Sequence, residues 1–182
     1  MSGPGRLFAV VGPSGAGKDT LLAAAAARRP DLAVVRRVIT RPADAGGEDF
    51  DAVDRAEFER RKAAGRFALD WQAHGLCYGI PSGIDAVLAA GRDVIFNGSR
   101  AVLREAAARY PCLKVLHVTA SPAILAERLA GRGRESPGEI AARLERADYA
   151  LPDGLDVACI CNDGTVAAAA EALLACLQPA SG

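Results

Sequence analysis

The chain has 182 residues, and its 22 basic and 22 acidic side chains give a formal net charge of zero at neutral pH. This balance argues against a free-standing nucleic-acid or membrane-surface binder, because such proteins usually carry a basic excess. Hydrophobic residues make up 51% and charged residues 24%, which is typical of one compact domain with an apolar core. The longest stretch without a charge, 71–84, is interrupted by glycine and proline, so we expect no transmembrane helix.

The N-terminus and the cysteines indicate the cellular location. The first residues contain no basic segment followed by an apolar one, so we expect no signal peptide. The five cysteines include no Cys-x-x-Cys pair and are accompanied by only two histidines, which disfavours a disulfide framework or a zinc site. We therefore expect a cytoplasmic protein whose thiols are small core residues.

Short apolar runs alternate with helical patterns, which predicts βαβ units and an α/β fold with a parallel sheet flanked by helices. The predicted strands, in chain order, are 7–11, 33–40, 67–71, 77–78, 94–96, 113–118 and 157–160. The predicted helices are 19–29, 54–64, 82–90, 100–109, 121–128 up to the turn at 131, 136–143 and 165–177. Capping pairs mark several starts, such as Asp54 with Glu57 and Ser136 with Glu139. Only the segment 42–78 lacks the βαβ alternation, so we expect one domain, 1–182, with a substrate lobe at about 42–80 and a lid at about 131–139.

The segment from Gly12 to Lys18 lies directly between a predicted strand and a predicted helix. It matches the pattern G-x-x-x-x-G-K, in which backbone N–H groups converge on a phosphate and the lysine reaches the β- and γ-phosphates. The pattern predicts a P-loop NTPase. The residues expected to bind ATP here are Gly12, Pro13, Ser14, Gly15, Ala16, Gly17, Lys18, Asp19 and Thr20.

Two positions depart from the usual P-loop arrangement. Asp19 stands where a Ser or Thr hydroxyl normally holds Mg²⁺, with Thr20 next to it. Asn97 ends a predicted strand at which many P-loop enzymes place a metal-binding carboxylate. We expect the departures to compensate, with Asp19 and Thr20 contacting Mg²⁺. In the alternative, Asp19 is an acid in the first turn of a helix, stabilised by the helix dipole.

With these residues placed, the chain resembles guanylate kinases over almost its whole length. The resembling segments are 12–21, 39–42, 49–50, 75–79, 128–133, 143–144 and 162–163. The resemblance implies that Arg41 and Tyr78 hold the acceptor's phosphate and that Asn162 lies near the adenine. It also implies that arginines in the helices flanking a lid close over ATP, and these are Arg128, Arg132 and Arg143.

The guanine-reading part of that family has no counterpart in this chain. Leu69 stands where the family has a guanine-binding Glu, and Ile80 replaces a Ser that contacts the base. Asp44 and Phe50 replace a phosphate-binding Arg and Tyr. A site that recognises a base by hydrogen bonds needs those polar partners, so their loss disfavours a nucleoside monophosphate kinase.

The segments that replace them resemble the ribose 1,5-bisphosphate phosphokinases of the phosphonate-degradation pathway. These segments are Gly-Lys-Asp-Thr at 17–20, Leu-Asp-Trp at 69–71, 74–79 and Val-Ile-Phe-Asn-Gly-Ser-Arg at 94–100. The resemblance implies phosphoryl transfer from ATP to ribose 1,5-bisphosphate, which gives 5-phospho-α-D-ribose 1-diphosphate and ADP. The residues expected to bind the sugar bisphosphate or to orient it are Arg41, Asp49, Tyr78, Asn97, Ser99 and Arg100.

The chemistry demands little besides positioning and charge. A phosphate monoester has a second pKa of about 6 and is largely ionised at neutral pH, so the acceptor needs no general base. The residues expected to be catalytic are Lys18, Arg41, Arg132 and Arg143. The expected partners are ATP and a small phosphorylated sugar, without nucleic acid or membrane, in a monomer or homodimer.

Two alternatives stay open at this stage. One is a guanylate kinase with unusual acceptor contacts. The other is a non-catalytic guanylate-kinase-like binding module, although such modules typically lose P-loop residues. Among the remaining conspicuous residues, we expect Arg36 and Arg37 at the surface and His117 in the core.

Overall fold

The computed structural model describes residues 3–13, 15–45, 48–131, 136–140, 142 and 150–179. The strands are β1 (Leu7–Val11), β2 (Ala33–Val34), β3 (Val38–Ile39), β4 (Asp51–Ala52), β5 (Phe67–Ala73), β6 (Leu76–Pro81), β7 (Val94–Asn97), β8 (Lys114–Thr119) and β9 (Asp156–Cys161). The helices are α1 (Lys18–Arg28), α2 (Arg55–Ala63), α3 (Ile84–Ala89), α4 (Leu103–Arg109), α5 (Pro122–Gly131) and α6 (Val166–Cys176). Short 3₁₀ turns lie at Ala43–Ala45 and Arg100–Val102, and residues 137–140 are also helical.

The larger sheet is parallel, with the strand order β2-β7-β1-β8-β9. Its central strand β1 is buried along its whole length, as expected for a continuous apolar run covered on both faces. Phe8 and Val10 pack with α1, α5 and α6 on one face. Leu7, Ala9 and Val11 pack with α3 and α4 on the other. The predicted parallel sheet flanked by helices is therefore confirmed.

A second sheet, with the order β4-β3-β6-β5, is built from residues 38–81. The single strand predicted at 33–40 is wrong, because the chain changes sheets within it. Val34 pairs with Ile95 in the larger sheet, whereas Val38 pairs with Gly79 in the second. The interruption falls at Arg36 and Arg37, two charged residues within the apolar run. They form ion pairs with the carboxylates at 48–49.

The predicted helix starts have specific hydrogen-bonding causes. Asp54 accepts the backbone N–H of Glu57 at 2.7 Å, and Thr165 accepts that of Ala168 at 3.1 Å. Ser136 and Glu139 bond to each other's backbone N–H, which confirms a capping box there. Ser82 caps nothing through its side chain, since α3 begins after Gly83 without a side-chain cap.

The cysteine prediction is largely wrong. Cys77 is buried, but Cys112, Cys159 and Cys161 are exposed. The last two lie on β9, whose position at the edge of the sheet leaves its side chains more accessible than those of β1. Within the described ranges, none of the helices has the length and apolar character needed to cross a bilayer.

A hydrogen-bonded group ties the two sheets together through α3 and α4. The Tyr110 hydroxyl donates to Asp85 Oδ1 at 2.6 Å, and Arg109 donates to Asp85 Oδ2 at 2.9 Å. Arg109 also donates to the carbonyl oxygen of Ala68 in β5 at 3.0 Å. Burial and the hydrogen bond to Asp85 raise the pKa of Tyr110 to about 12.

This pKa predicts how stability changes in alkaline solution. The phenol holds its proton up to a pKa of about 12 in the folded chain, against about 10 when unfolded, so its contribution to stability is complete below about pH 10 and is lost as pH rises towards 12. In urea titrations, the unfolding midpoint of the wild type should therefore fall more steeply between these pH values than that of Tyr110→Phe. The difference between the two curves removes the titration of other groups, and parallel curves would contradict the prediction.

Candidate active site

The P-loop joins the end of β1 to the start of α1, and it requires glycine at two positions for different reasons. A Cβ at Gly12 would lie 2.2 Å from the carbonyl oxygen of Val118 on β8. Gly17 has a φ of +91°, and its Cβ would lie 2.5 Å from Asn162 Nδ2. The loop therefore packs against β8 and the end of β9 as tightly as a backbone without side chains allows. Ser14 lies outside the described residues.

Lys18 occupies the first turn of α1 and bends over the loop. Its Nζ donates to the carbonyl oxygens of Gly12 at 2.6 Å and Pro13 at 3.1 Å. The ammonium group is thus held at the mouth of the loop, next to the positive end of an 11-residue helix. This arrangement suits the binding of a nucleotide's phosphates.

Two side chains from elements next to the P-loop, Arg128 on α5 and Asn162 after β9, hold the loop backbone. Arg128 on α5 donates to the carbonyl oxygen of Gly15 at 3.0 Å and to that of Asn162 at 2.6 Å. Asn162 Nδ2 donates to the carbonyl oxygen of Ala16 at 2.7 Å, and the backbone N–H of Asn162 bonds to Thr119. These bonds occupy loop carbonyls and fix the backbone whose N–H groups must converge on a phosphate. Arg128 is in this structure a brace for the P-loop, and its predicted contact with ATP stays a prediction.

The side-chain oxygen of Asn162 has a different status. Oδ1 is buried, and among the described residues it has no hydrogen-bond partner. Buried polar atoms are nearly always paired, so this acceptor beside the P-loop retains the capacity for one further hydrogen bond.

The two departures from the usual P-loop pattern meet in space. Asn97, at the end of β7, is 8% exposed, and its Nδ2 donates to Asp19 Oδ1 at 2.8 Å. Register explains the meeting, because Asn97 pairs with Val10 at the carboxyl end of β1, just before the loop that leads to Asp19. The amide thereby orients an exposed carboxylate at the start of α1, with Thr20 exposed beside it.

Asp19 and Thr20 supply oxygen atoms, the donors that Mg²⁺ prefers. No group of three or more His, Cys, Asp or Glu side chains capable of holding a metal occurs in the part of the chain that the structure describes. The donor set therefore fits a metal bound chiefly through a nucleotide's phosphates with one protein carboxylate, which is the usual mode for Mg²⁺ in kinases.

Two of the predicted acceptor residues, Arg41 and Tyr78, belong to the second sheet or directly follow one of its strands. Arg41 follows β3, with its guanidinium carbon 4.3 Å from the centre of the Phe50 ring. Thr40 fixes this segment, because its hydroxyl oxygen accepts the N–H of Cys77 at 2.8 Å and its own N–H bonds to the Cys77 carbonyl. Tyr78 on β6 is buried and stacks on Trp71 with ring centres 5.3 Å apart.

The turn after β7 connects this side to the P-loop. Ser99 accepts the N–H of Ala101 at 3.3 Å and so begins the 3₁₀ turn that carries Arg100. His117 on β8 is half-buried, and its imidazole pKa is lowered by burial and by the nearby charges of Arg100 and Lys18. The positive charges of the P-loop lysine and of the predicted acceptor arginine therefore both act on the His117 imidazole.

The remaining predicted site residues are either exposed at the surface or outside the described residues. Asp49 is exposed and forms an ion pair with Arg36 at 3.1 Å. Arg132 and Arg143 lie outside the described residues, so their predicted role over ATP stays a prediction.

Sequence reasoning missed two residues of this region, Arg37 and Glu48. The prediction that Arg37 lies at the surface is wrong, since it is 7% exposed and hydrogen-bonded to Glu48. The strand period gave no signal, because Arg37 lies just before β3 and both residues of that strand, Val38 and Ile39, are buried. Arg36 is exposed as predicted.

The positions that read guanine in the resembling family are part of the core here. Leu69 on β5 and Ile80 on β6 are paired in register, and both are almost completely buried. They pack among apolar side chains that also cover β1. These two positions therefore offer apolar packing where guanine recognition needs hydrogen-bonding groups.

Solved structures share this architecture. A guanylate kinase from Anaplasma phagocytophilum superposes with a TM-score of 0.68 at 19% identity, covering 97% of this chain and 86% of that one. A gluconokinase from Sinorhizobium meliloti 1021 gives a TM-score of 0.54 at 21% identity over 97% of this chain and 93% of its own. The fold is thus that of the P-loop kinases.

Curated relatives define the family more closely. A ribose 1,5-bisphosphate phosphokinase from Agrobacterium fabrum is 47% identical over 97% of this chain and 98% of its own length. Proteins of the same name from Ruegeria sp. and Pseudomonas fluorescens are 48% and 49% identical, over 96% of this chain and 92% and 95% of theirs. No protein-family model matches the chain. The chain belongs to the ribose 1,5-bisphosphate phosphokinase family and is a phosphotransferase, as its sequence motifs predict.

The brace on the P-loop yields a prediction. Arg128→Ala removes two hydrogen bonds from a charged donor, each contributing about 1.5–3 kcal/mol, so ATP affinity should fall by about tenfold or more. Arg128→Lys, with a single ammonium, should lie in between. Isothermal titration with Mg-ATP measures the change, and Arg92→Ala, which removes an exposed arginine bonded to the Asp31 carbonyl, is the control. An affinity of Arg128→Ala within twofold of the control would contradict the prediction.

Proposed function

We propose that this chain transfers the γ-phosphoryl group of ATP to the 1-phosphate of ribose 1,5-bisphosphate. An oxygen of the acceptor phosphate forms a bond to the γ-phosphorus, and the bond from that phosphorus to the β–γ bridging oxygen breaks. The products are 5-phospho-α-D-ribose 1-diphosphate and ADP. The observation that carries the proposal is a P-loop whose lysine is held at its mouth, beside a substrate lobe that has guanidinium groups but packed apolar residues at the base-reading positions.

The donor side rests on the P-loop. We assign the phosphates of ATP to the loop's N–H groups and to Lys18, which would neutralise charge as the bridging oxygen becomes the leaving group. Asn162 would lie near the adenine, as the resemblance to guanylate kinases implies. Arg132 and Arg143 would close over the phosphates from the predicted lid, where their charges would stabilise the transferring group.

The metal site would use Asp19 with Thr20. These two residues would hold Mg²⁺ beside the nucleotide's phosphates, where the ion would supply positive charge that offsets part of theirs. Asn97 donates to Asp19 and would keep that carboxylate turned towards the phosphates rather than bind the ion itself.

The acceptor side would use charge rather than base recognition. Arg41, Tyr78 and Arg100 would bind the phosphates of the sugar; the charge of Arg100 also lowers the pKa of His117 on β8. Asn97 and Ser99 would orient the sugar. Asp49 is exposed and paired with Arg36, so a contact from its carboxylate to the sugar or to bound water would require that pair to open. The acceptor phosphate is already ionised, and these contacts would hold it in line with the γ-phosphorus.

The substrates suggest the setting of the reaction. We propose that the protein works in the cytoplasm, as a monomer or homodimer, because ATP and sugar phosphates are charged metabolites of that compartment. No contact with nucleic acid or membrane is required for the chemistry.

The direct test is product analysis by phosphorus NMR with ATP and ribose 1,5-bisphosphate. We expect the diphosphate doublet of the sugar product to appear together with ADP. A parallel coupled assay with GMP examines the guanylate kinase alternative. Efficient GMP phosphorylation without reaction of the sugar would overturn the proposal, and no Mg-ATP binding at millimolar concentration would favour a binding module.

The metal assignment predicts a change in magnesium dependence. Asp19→Asn removes the anionic oxygen, so the free Mg²⁺ concentration giving half-maximal turnover should rise by about tenfold, as expected for loss of a charged ligand worth about 1.4 kcal/mol. Glu105→Gln is the matched control, because Glu105 is also an exposed acid in the first turn of a helix. If Asp19 only stabilises α1 by interacting with the helix dipole, both variants should lose similar stability. Neither should then change the Mg²⁺ concentration that gives half-maximal turnover.

A further inference from the structure

A largely buried ion pair, Arg37 with Glu48, lies next to strands β3 and β4 of the second sheet. Arg37 is 7% exposed, and the side chain of Glu48 is 14% exposed. Arg37 Nε donates to Glu48 Oε2 at 2.9 Å, and its Nη2 donates a second, short hydrogen bond to Oε1. The pair is therefore a two-point contact with defined orientation, in contrast to the exposed pair that Arg36 makes next to it.

Glu48 connects this pair to Arg41. Glu48 Oε1, which accepts from Arg37, also lies 3.8 Å from Arg41 Nη2. The Arg41 guanidinium packs over Phe50 at 4.3 Å, so a carboxylate and an aromatic face both define its position. The three charged groups thus run in the order positive, negative, positive from the interior towards Arg41.

Arg37 connects the same pair to Tyr78. Its guanidinium carbon lies 4.9 Å from the centre of the Tyr78 ring and 6.0 Å from that of Trp71. The two rings are stacked at 5.3 Å with an angle of 4° between their planes. Both contacts are within cation–π range, so Arg37 restrains the aromatic pair that carries the Tyr78 hydroxyl.

Backbone pairing brings the members together. Ile39 pairs with Tyr78 across β3 and β6, and the carbonyl oxygen of Arg37 accepts the N–H of Asp51 at the start of β4. The segments on either side of β3 and before β4 are therefore parts of one sheet. The ion pair links the residues just outside its strands.

Stability alone is a poor reason for such a pair. Taking two charges out of water costs more than their attraction commonly returns, and packed apolar residues of similar size are often at least as stable. A device that fixes the geometry of other groups is the better explanation, because both residues contact the groups assigned to the acceptor. We propose that the Arg37–Glu48 pair positions Arg41 and Tyr78 for binding the sugar's phosphate; this deepens, and rests on, the function proposed above.

The charge order explains why both members are needed. Without the Glu48 carboxylate, Arg37 would be buried without its anion and would repel Arg41 across the place where the carboxylate lay. Arg41 would then leave its position over Phe50. Binding of the acceptor phosphate should weaken, whereas the P-loop has separate supports in Arg128 and Asn162 and should bind ATP as before.

The experiment compares Glu48→Gln with Glu57→Gln. Glu57 is the matched control, since it is a glutamate of the same lobe that also pairs with two arginines, Arg60 and Arg61, but lies at the surface of α2. Glu48→Gln should raise the KM for ribose 1,5-bisphosphate by about tenfold or more while the KM for ATP stays within twofold. Glu57→Gln should leave both values unchanged.

Fluorescence gives a readout that needs no turnover. Trp71 is the only tryptophan in the sequence, and it lies in the stack next to Arg37. Titration of the protein with ribose 1,5-bisphosphate, and separately with inorganic phosphate, should change its emission and yield a Kd. Glu48→Gln should weaken this Kd by about the same factor as the KM. The double variant Arg37→Met with Glu48→Gln should bind the sugar no more weakly than the weaker-binding of the two single variants, because the two residues act as one unit.

The outcomes separate the two proposals. A wild-type protein that binds the sugar with a change in emission but does not phosphorylate it would overturn the proposed function and leave the positioning role to be judged from Kd. An acceptor Kd for Glu48→Gln within twofold of the Glu57→Gln value would overturn the positioning role. So would an equal loss of ATP affinity, or failure of Glu48→Gln to fold when the double variant folds and binds the sugar normally. Absence of any emission change with either ligand in the wild type would overturn the acceptor assignment and this role with it.

Discussion

The P-loop backbone is the constraint on which the rest of the molecule depends. Its N–H groups can converge on a phosphate only if the loop's carbonyls are satisfied elsewhere, and Arg128 and Asn162 satisfy those of Gly15 and Ala16. Both residues come from elements beyond β8, so the loop is correctly shaped only when β1, β8 and β9 are paired and α5 is docked. The close approach of Val118 to Gly12 leaves no room for a side chain that could replace this support. Fold and nucleotide site are therefore formed together.

A chain with zero net charge can still form a locally basic site, because the burial and the ion-pair partner of each charged side chain decide where positive charge is concentrated. Within the described part of the chain, the buried polar or charged residues are Arg37, Asn97 and Asn162, and each lies beside a residue assigned to the site. Many other arginines form exposed pairs, such as Arg29 with Asp31 and Arg60 with Glu57, which contribute little to stability. The presence of an arginine in the sequence therefore has no functional meaning by itself. Burial and partner decide which guanidinium groups matter.

The nucleotide half of the site could be predicted from local sequence, whereas the acceptor half depends on pairing between strands that are distant in the sequence. Gly12 to Lys18 could be predicted because strand, loop and helix are contiguous, and the capping residues Asp54 and Ser136 act within one turn. The split of 33–40 between two sheets could not, since it depends on partners about 40 to 60 residues away, Gly79 and Ile95. Arg37 was misplaced for the same reason. Its burial follows from Glu48, Trp71 and Tyr78, which neighbour it only after the second sheet forms.

The acceptor lobe shows how one kinase architecture can change its substrate. Replacing base-reading polar groups with Leu69 and Ile80 removes hydrogen-bonding partners, and it also removes the penalty of leaving such groups unpaired when a ligand without a base binds. Recognition of the acceptor must then depend on its anionic phosphate groups. Arginine held by a carboxylate is suited to this, because the carboxylate fixes the direction of the guanidinium and its charge keeps two neighbouring cations from separating. In the function proposed above, the guanidinium groups of the acceptor lobe would recognise the two phosphates of a sugar that carries no base.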